Sequence, residues 1–236
     1  MSADVLTERL FEALINGDRP GARRVIAEQR ERGIDAEIIM TDLFWPTYEL
    51  IDSLHRRDKI TNLSYNLATR LLRVLVDQSA AELVATPAPR LNRRVFAACG
   101  PSEGLELGAQ MAVDLLEANG FDVRFSGGGV PTDEVQALVQ QDSPDVLLMF
   151  CSSPQDLPSI RQLIDTLHEV GACPNLQIVV GGGVFNRAEG LAEEIGADLW
   201  AVHPLELVDA MIEEHDRRAT DDQRTVGRKR RLDQAA

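Results

Sequence analysis

The sequence predicts an α/β protein in two parts, an N-terminal helical bundle followed by a domain built on a parallel sheet. Two patterns lead to this prediction. Residues 1–86 place their apolar side chains at helical spacing, whereas residues 93–218 alternate short apolar runs with helical stretches. Between them, residues 87–92 contain two prolines, which is typical of a linker. A chain of 236 residues is long enough to bury a real core.

Composition and charge limit the possible partners. The chain is 44% hydrophobic and 26% charged, as in ordinary soluble proteins. Its net charge of -14 argues against direct nucleic-acid binding, because phosphate contacts need clustered Lys and Arg. No apolar stretch is long enough for a membrane span, and the N-terminus lacks a secretory signal pattern. Cys99, Cys151 and Cys173 fit no disulfide framework or zinc spacing. We therefore expect a cytoplasmic protein.

The first part is expected to be a four-helix bundle. Its amphipathic segments are residues 6–16, 19–33, 35–58 and 62–85. Pro46 is expected to mark either a helix start or a kink within the third segment, because proline has no backbone N–H. The apolar stripe of the fourth segment is expected to contain Leu63, Leu67, Leu71, Leu72 and Val76.

The second part is expected to have a flavodoxin-like (Rossmann-like) fold. Apolar runs predict five strands, at residues 93–99, 121–127, 144–151, 176–183 and 198–203. Helices are predicted at residues 105–119, 131–141, 155–170, 187–195 and 204–216. Strands that are apolar throughout and alternate with helices form parallel sheets covered on both faces. The expected strand order is 2-1-3-4-5.

Ligands of this fold bind at the carboxyl ends of the strands. Here those ends carry residues 100–102, 127–129, 151–153 and 181–183, and three of the four contain glycine. Glycine lets a backbone approach a large flat ligand, but it also serves tight turns, so both interpretations stand. Acidic residues such as Glu106 near the first turns disfavour a phosphate site. Cysteines at the ends of the first and third strands exclude a phosphoacceptor receiver domain.

Two segments, together with the order of the two parts, resemble the cobalamin-binding family. They are LLEANGFDVRFSGGGVPTDEVQALVQQDSPDVL and IVVGGGVFNRAEGLAEEIGADLWA. This family includes corrinoid methyltransferase carrier proteins and B12-dependent photoreceptor regulators. The resemblance covers residues 6–216. It implies that cobalamin or another tetrapyrrole binds between the bundle and the α/β domain.

The family's lower-ligand motif is altered in this chain. The family carries Asp-x-His-x-x-Gly after the first strand, where the His ligates cobalt and the Asp orients that His. Aligned on Gly108, these positions hold Glu103 and Leu105. Leucine cannot coordinate cobalt, so the resemblance implies a corrinoid bound base-on, without a protein histidine. The family's Ser-x-Leu pattern beside the benzimidazole tail falls on Phe150 and Ser152, and a phenylalanine would narrow that channel.

The residues expected above the ring differ as well. The Trp and Glu-His of the photoreceptor type align with His55, Tyr65 and Asn66. His55 could ligate the metal of a tetrapyrrole from above; the alternative is a surface histidine. His203 is interpreted as a helix-start residue.

Glycines complete the set of candidate cofactor contacts. The family's glycine floor is retained, and the second turn adds two further glycines. The candidates are Gly127, Gly128, Gly181, Gly182 and Gly183.

Three functions follow from these residues. The leading expectation is a non-catalytic sensory or regulatory module. A corrinoid carrier subunit of a methyltransferase system and a ligand-free protein-interaction scaffold remain alternatives. Any regulatory output needs a protein partner or a homo-oligomer, because no DNA-binding or kinase segment is recognisable. Residues 219–236 are interpreted as a solvated basic tail, or as a contact for an acidic partner.

Overall fold

The first part of the chain folds into helices whose buried faces follow the apolar spacing of the sequence. The computed structural model describes residues 3–83, 88–102, 106–220 and 223. The chain divides into two compact units, Met1–Pro87 and Ala88–Ala236. The helices of the first unit are α1 (Ala3–Ile15), α2 (Arg19–Glu31), α3 (Ala36–Ile39), α4 (Trp45–Arg56) and α5 (Asn62–Leu83).

The third predicted segment is one helical run interrupted by a wider turn. A π-helical segment, Met40–Phe44, joins α3 to α4. Pro46 is the second residue of α4, which agrees with the predicted helix start. The hydroxyl of Thr47 donates to the carbonyl of Leu43 over 2.6 Å in the buried interior. The wide turn therefore accommodates a proline in a run that would otherwise be a continuous α-helix.

The apolar stripe of α5 differs from its prediction over the first two turns. Leu63 is 70% exposed and Leu67 is 40% exposed. The buried face instead begins with Tyr65 and Ala68 and continues through Leu72. These three residues are spaced three and four apart, so they lie on one side of the helix, whereas Leu63 and Leu67 lie on another.

The second unit contains the five-stranded parallel sheet that was predicted, and its strand order is confirmed. The strands are β1 (Arg94–Cys99), β2 (Asp122–Phe125), β3 (Val146–Phe150), β4 (Gln177–Gly181) and β5 (Leu199–Trp200). They pair in parallel in the order β2-β1-β3-β4-β5. The helices are α6 (Leu107–Ala118), α7 (Thr132–Asp142), α8 (Leu157–Val170), α9 (Gly183–Arg187), α10 (Leu191–Glu194) and α11 (Pro204–Glu213).

Both faces of the sheet are covered, which explains why its strands are apolar throughout. On one face, alternate residues of β1, β3 and β4 form a single buried cluster with α7, α8, α9 and α10. The helices α6 and α11 pack against each other. Side chains alternate along a strand, so Phe150 faces the side opposite to its neighbour Met149, which belongs to that cluster.

The prediction of a single helix at residues 187–195 is wrong in the helix bounds. Two short helices, α9 and α10, replace it, and the first begins at Gly183. Gly190 separates them with a φ of 78°, a conformation that glycine adopts without strain.

A hydrogen-bonded network closes the amino edge of the sheet. The Gln177 amide donates to the carbonyls of Glu214 and Arg217 over 2.9 and 3.1 Å. Its oxygen accepts from the Arg93 guanidinium, which also donates to the carbonyl of Met211. Burial lowers the pKa of Arg93 from its ordinary value. The segment that follows α11 is therefore fixed against the starts of β1 and β4.

The same network continues beyond residue 218. The Asp198 carboxylate accepts from the backbone N–H of Ile178 and of Ala219, each over 2.6 Å. The Gln223 amide donates to the carbonyl of Ala197 over 2.8 Å. None of the helices in the described ranges combines the length and apolar composition that a membrane span needs.

Candidate functional site

The carboxyl edge of the sheet aligns the turns that follow the first four strands. Parallel pairing continues past the strand ends through backbone hydrogen bonds. Cys99 N–H donates to the carbonyl of Gly127 over 2.8 Å, and Gly100 N–H donates to that of Phe150 over 2.8 Å. Cys151 N–H donates to the carbonyl of Gly181 over 2.9 Å. These bonds bring three of the predicted glycine turns to one edge.

The first turn is described only at its two ends. Glu103 and Leu105, the positions aligned with the lower-ligand motif, lie outside the described residues. Gly108 is the second residue of α6. The roles of Glu103 and Leu105 therefore stay predictions.

Gly182 has no room for a side chain. Its φ is 105°, and a Cβ would lie 2.6 Å from the carbonyl oxygen of Cys151. The neighbouring atoms are backbone, so they cannot move aside without disturbing β3. This glycine serves the tight packing of two turns, which is the conformational interpretation that the sequence left open.

Phe150 lies against Gly181. The two residues are paired across β3 and β4, and a Cβ on Gly181 would lie 3.3 Å from the Phe150 ring. The ring is 8% exposed. The predicted position of Phe150 beside a cofactor tail stays a prediction.

Two carboxylates bind the backbone of these turns. Asp156 is 3% exposed and accepts from Ser102 N–H through both oxygens, over 3.1 and 3.3 Å. Glu106 accepts from Gly128 N–H over 2.5 Å. Sequence reasoning noticed Glu106 but missed Asp156, because an acid at the start of a helix is common and gives no distinct signal.

The turn after β3 is held by a cation from α9. The Arg187 guanidinium donates to the Ser152 carbonyl over 3.0 Å. A Cβ on Gly183 would lie 2.5 Å from that guanidinium. Gly183 thus leaves the space through which Arg187 reaches the turn that contains Ser152, one of the candidate contacts.

The candidate residues of the bundle are partly assembled. The rings of His55 and Tyr65 stack with centroids 3.9 Å apart. His55 Nε2 lies 2.8 Å from Asn62 Oδ1. Tyr65 is buried at 7% exposure, while Asn66 faces solvent. The Nε2 atom of His55 thus has a partner within the bundle. Metal ligation by His55 stays a prediction.

His203 has a structural role. His203 caps α11, since its Nδ1 accepts from Glu206 N–H over 3.4 Å, as predicted for a helix-start residue. Across the described residues, no three His, Cys, Asp or Glu side chains come together to hold a metal ion.

Comparison with known proteins agrees with this geometry. Dimethylamine corrinoid protein 1 of Methanosarcina acetivorans is 27% identical over 103 residues, 44% of this chain and 47% of that protein. Dimethylamine corrinoid protein 3 of Methanosarcina mazei is 26% identical over 103 residues, 44% of this chain and 60% of that protein. The alignments thus span about half the length of these relatives.

One solved structure and two family models extend the comparison. The monomethylamine corrinoid protein of Methanosarcina barkeri matches with a TM-score of 0.71 at 17% identity, covering 90% of this chain and 100% of that chain. At this identity the likeness concerns the fold. Two models, each described as a B12 binding domain, match residues 6–78 and 93–209. They cover most of both units, and the chain therefore belongs to the family of B12-binding proteins.

Proposed function

We propose that this protein is a corrinoid carrier that holds its cofactor at the carboxyl edge of the sheet and presents it to a protein partner. The observation that supports this most is the pair of B12 binding domain matches in the two units. The relatives named above are corrinoid proteins, and they support a carrier better than the sensory module expected from the sequence. The protein itself performs no catalysis in this proposal.

The residues at the carboxyl edge fit a flat ring. Gly128 and Gly129, in the turn after β2, and Gly182, in the turn after β4, are partly or fully exposed, and Gly129 has open space where a Cβ would stand. A large planar macrocycle can approach the backbone closely at a position such as Gly129, where no side chain intervenes. Gly181, Gly183 and Ser152 complete the contacts that we assign to the ring.

Two side chains at this edge support a cofactor tail that stays outside the protein. The Phe150 ring lies on Gly181 between β3 and β4, and the Asp156 carboxylate lies on Gly100 between β1 and β3. We therefore propose base-on binding, in which the benzimidazole stays beneath the cobalt of its own molecule. Leu105 agrees with this mode because it offers no nitrogen. A bound corrinoid would supply the cobalt that carries a one-carbon group, while the chain orients the ring.

Uptake of a tetrapyrrole by the purified protein tests this proposal. The protein is incubated separately with hydroxocobalamin, methylcobalamin, haem and biliverdin, and is then desalted. We expect cobalamin to be retained with its base-on absorption bands unchanged. Protein labelled with ¹⁵N-histidine should give the same Co(II) electron paramagnetic resonance spectrum as unlabelled protein, because no histidine ligates the metal.

Other outcomes would contradict the proposal in distinct ways. A base-off spectrum whose nitrogen splitting changes on ¹⁵N-histidine labelling would show a histidine ligand, with His55 the first to replace by alanine. Retention of haem or biliverdin in preference to cobalamin would show that the ring is not a corrinoid. No uptake of any of the four compounds would favour the protein-interaction scaffold.

A sensory or regulatory module is the second candidate. Leu105 favours it, because carriers of this family rely on the histidine that Leu105 replaces. A protein that holds methylcobalamin without passing its methyl group to any methyltransferase partner would support this candidate over the carrier.

A further inference from the structure

Asp156 lies at the carboxyl edge of the sheet between β1 and β3. This is where an α/β fold with this strand order forms its ligand-binding crevice. In the order 2-1-3-4-5, the connections from β1 and β3 diverge to opposite faces, which opens a crevice between these two strands. Asp156 comes from the turn after β3 and binds the turn after β1, through Ser102 N–H. A Cβ on Gly100 would lie 2.3 Å from an Asp156 oxygen, so the carboxylate lies directly against the turn that follows β1.

Local structure directs this side chain inward. Ser153 accepts from Gln155 N–H with its hydroxyl and from Asp156 N–H with its carbonyl, which closes the 3₁₀ turn Pro154–Asp156. Asp156 then immediately precedes α8, a helix of 14 residues. The turn thereby places a carboxylate at the positive end of a long helix, while the side chain is 3% exposed.

The Asp156 carboxylate lies beside the start of α8 without capping it, because it accepts from Ser102 N–H and not from the helix. A helix N-terminus attracts phosphate because its N–H groups are unpaired and its dipole is positive there. Asp156 places a negative charge close to this helix end. In the described part of the chain, no Lys, Arg or His forms an ion pair with it. Its charge therefore repels a second anion in the same crevice.

We infer that Asp156 is a specificity-determining residue that keeps phosphate-bearing side groups of a tetrapyrrole out of the β1–β3 crevice. This inference rests on the proposed function. The tail of cobalamin contains a phosphodiester, whereas cobinamide has the same ring without a nucleotide. The site accepts the ring on its glycine edge and leaves the anionic tail outside.

The test compares these two ligands in a protein whose steric block is relieved. Phe150→Ser is the parent, and Asp156→Asn is added to it, which keeps the acceptor for Ser102 N–H and removes the charge. Asp198→Asn on the same parent is the matched control, because Asp198 is also 3% exposed and its carboxylate also accepts from backbone N–H groups, those of Ile178 and Ala219. Hydroxocobalamin and diaquocobinamide are titrated by absorption.

We expect Asp156→Asn to raise the preference for cobalamin over cobinamide by about fivefold to tenfold, the effect of removing one nearby charge. Its bound cobalamin should also shift toward base-off bands as the tail enters the crevice. The Asp198→Asn control should leave the ratio within about twofold. If Asp156→Asn fails to fold, Asp156→Thr offers a neutral acceptor that is one bond shorter.

An unchanged ratio in both Asp156 variants, with the ring still bound, would overturn this inference and leave the proposed function intact. An equal rise in the control would also overturn it, because the effect would then come from net charge alone. Binding of neither ring by any variant would show that the proposed function is wrong, and this inference with it.

Discussion

The two edges of the parallel sheet are closed by different means. At the amino edge, Arg93, Gln177 and Asp198 use long or charged side chains to bind the backbone of the segment after α11. At the carboxyl edge, backbone packs on backbone at glycines such as Gly182. Each edge holds a carboxylate that is 3% exposed, Asp198 on one and Asp156 on the other.

This difference suggests separate roles for the two edges of the α/β unit. The amino edge stabilises the fold, and the carboxyl edge is where we propose that the ligand binds. The chain itself occupies the amino edge, and each polar group of Gln177 there has a partner. At the carboxyl edge the turns carry glycines. A change at the amino edge should therefore affect folding, while changes at the carboxyl edge should affect folding or binding according to what the altered residue touches.

The largest expected effect is at Gly182. We expect Gly182→Ala to lower the free energy of unfolding of the α/β unit by about 3 kcal/mol or more, because strain adds to a backbone clash. Urea unfolding measures this in a Trp45→Phe background, where Trp200 is the remaining tryptophan of the two. Gly129→Ala is the control, since its φ of 72° brings strain but nothing lies within 4 Å. A cost equal to that of the control would show that the two turns can separate.

An intermediate effect is expected at Gln177. Replacing this fully buried residue by alanine leaves Arg93 and two carbonyls without their partner, which should cost about 2 kcal/mol. The amide of Ala219 should also exchange its hydrogen faster, since the segment after α11 is released. Exposed Gln141 on α7 provides the control, for which Gln141→Ala should change stability by less than about 0.5 kcal/mol. Unaltered exchange at Ala219 would mean that Asp198 alone fixes the segment.

The smallest effect is expected where Phe150 meets Gly181. A methyl group on Gly181 would press on a ring at 3.3 Å, which can yield by a few tenths of an ångström. Gly181→Ala should therefore cost about 1 kcal/mol. In a Phe150→Leu background the cost should fall close to zero, and a double-mutant cycle measures the difference. Equal costs in both backgrounds would place the strain in the backbone rather than the ring.

The fold could be predicted from the sequence largely because its signals are local. The apolar runs that contain Val146–Phe150 and Gln177–Gly181 are continuous, and continuous apolar runs that alternate with helices leave few other arrangements. The exposed Leu63 shows the limit of this reasoning. Which side of an apolar helix is buried depends on the helices that pack against it, and spacing alone does not give their positions.

Only the glycine turns of the candidate site could be predicted from the sequence. Glycine turns at strand ends are visible in the sequence, and the structure brings three of them to one edge. Asp156 was not predictable, because its importance arises from a contact with Ser102, 54 residues away. The fixed segment after α11 was missed for the same reason, since Gln177 meets Glu214 and Arg217 only in the folded chain.

The π-helical segment Met40–Phe44 sets the directions in which the side chains of α4 point around the helix axis, relative to those of α3. Each residue of an α-helix advances the chain by about 100° around the axis, and a π turn accommodates one residue more than an α turn. A sequence lacking one residue here would keep both helices but rotate α4 by about 100°. Ile51 would leave the core and His55 would leave the Tyr65 ring. Alignments that cross this segment must therefore allow a one-residue offset before any residue of α4 is equated with that of another protein.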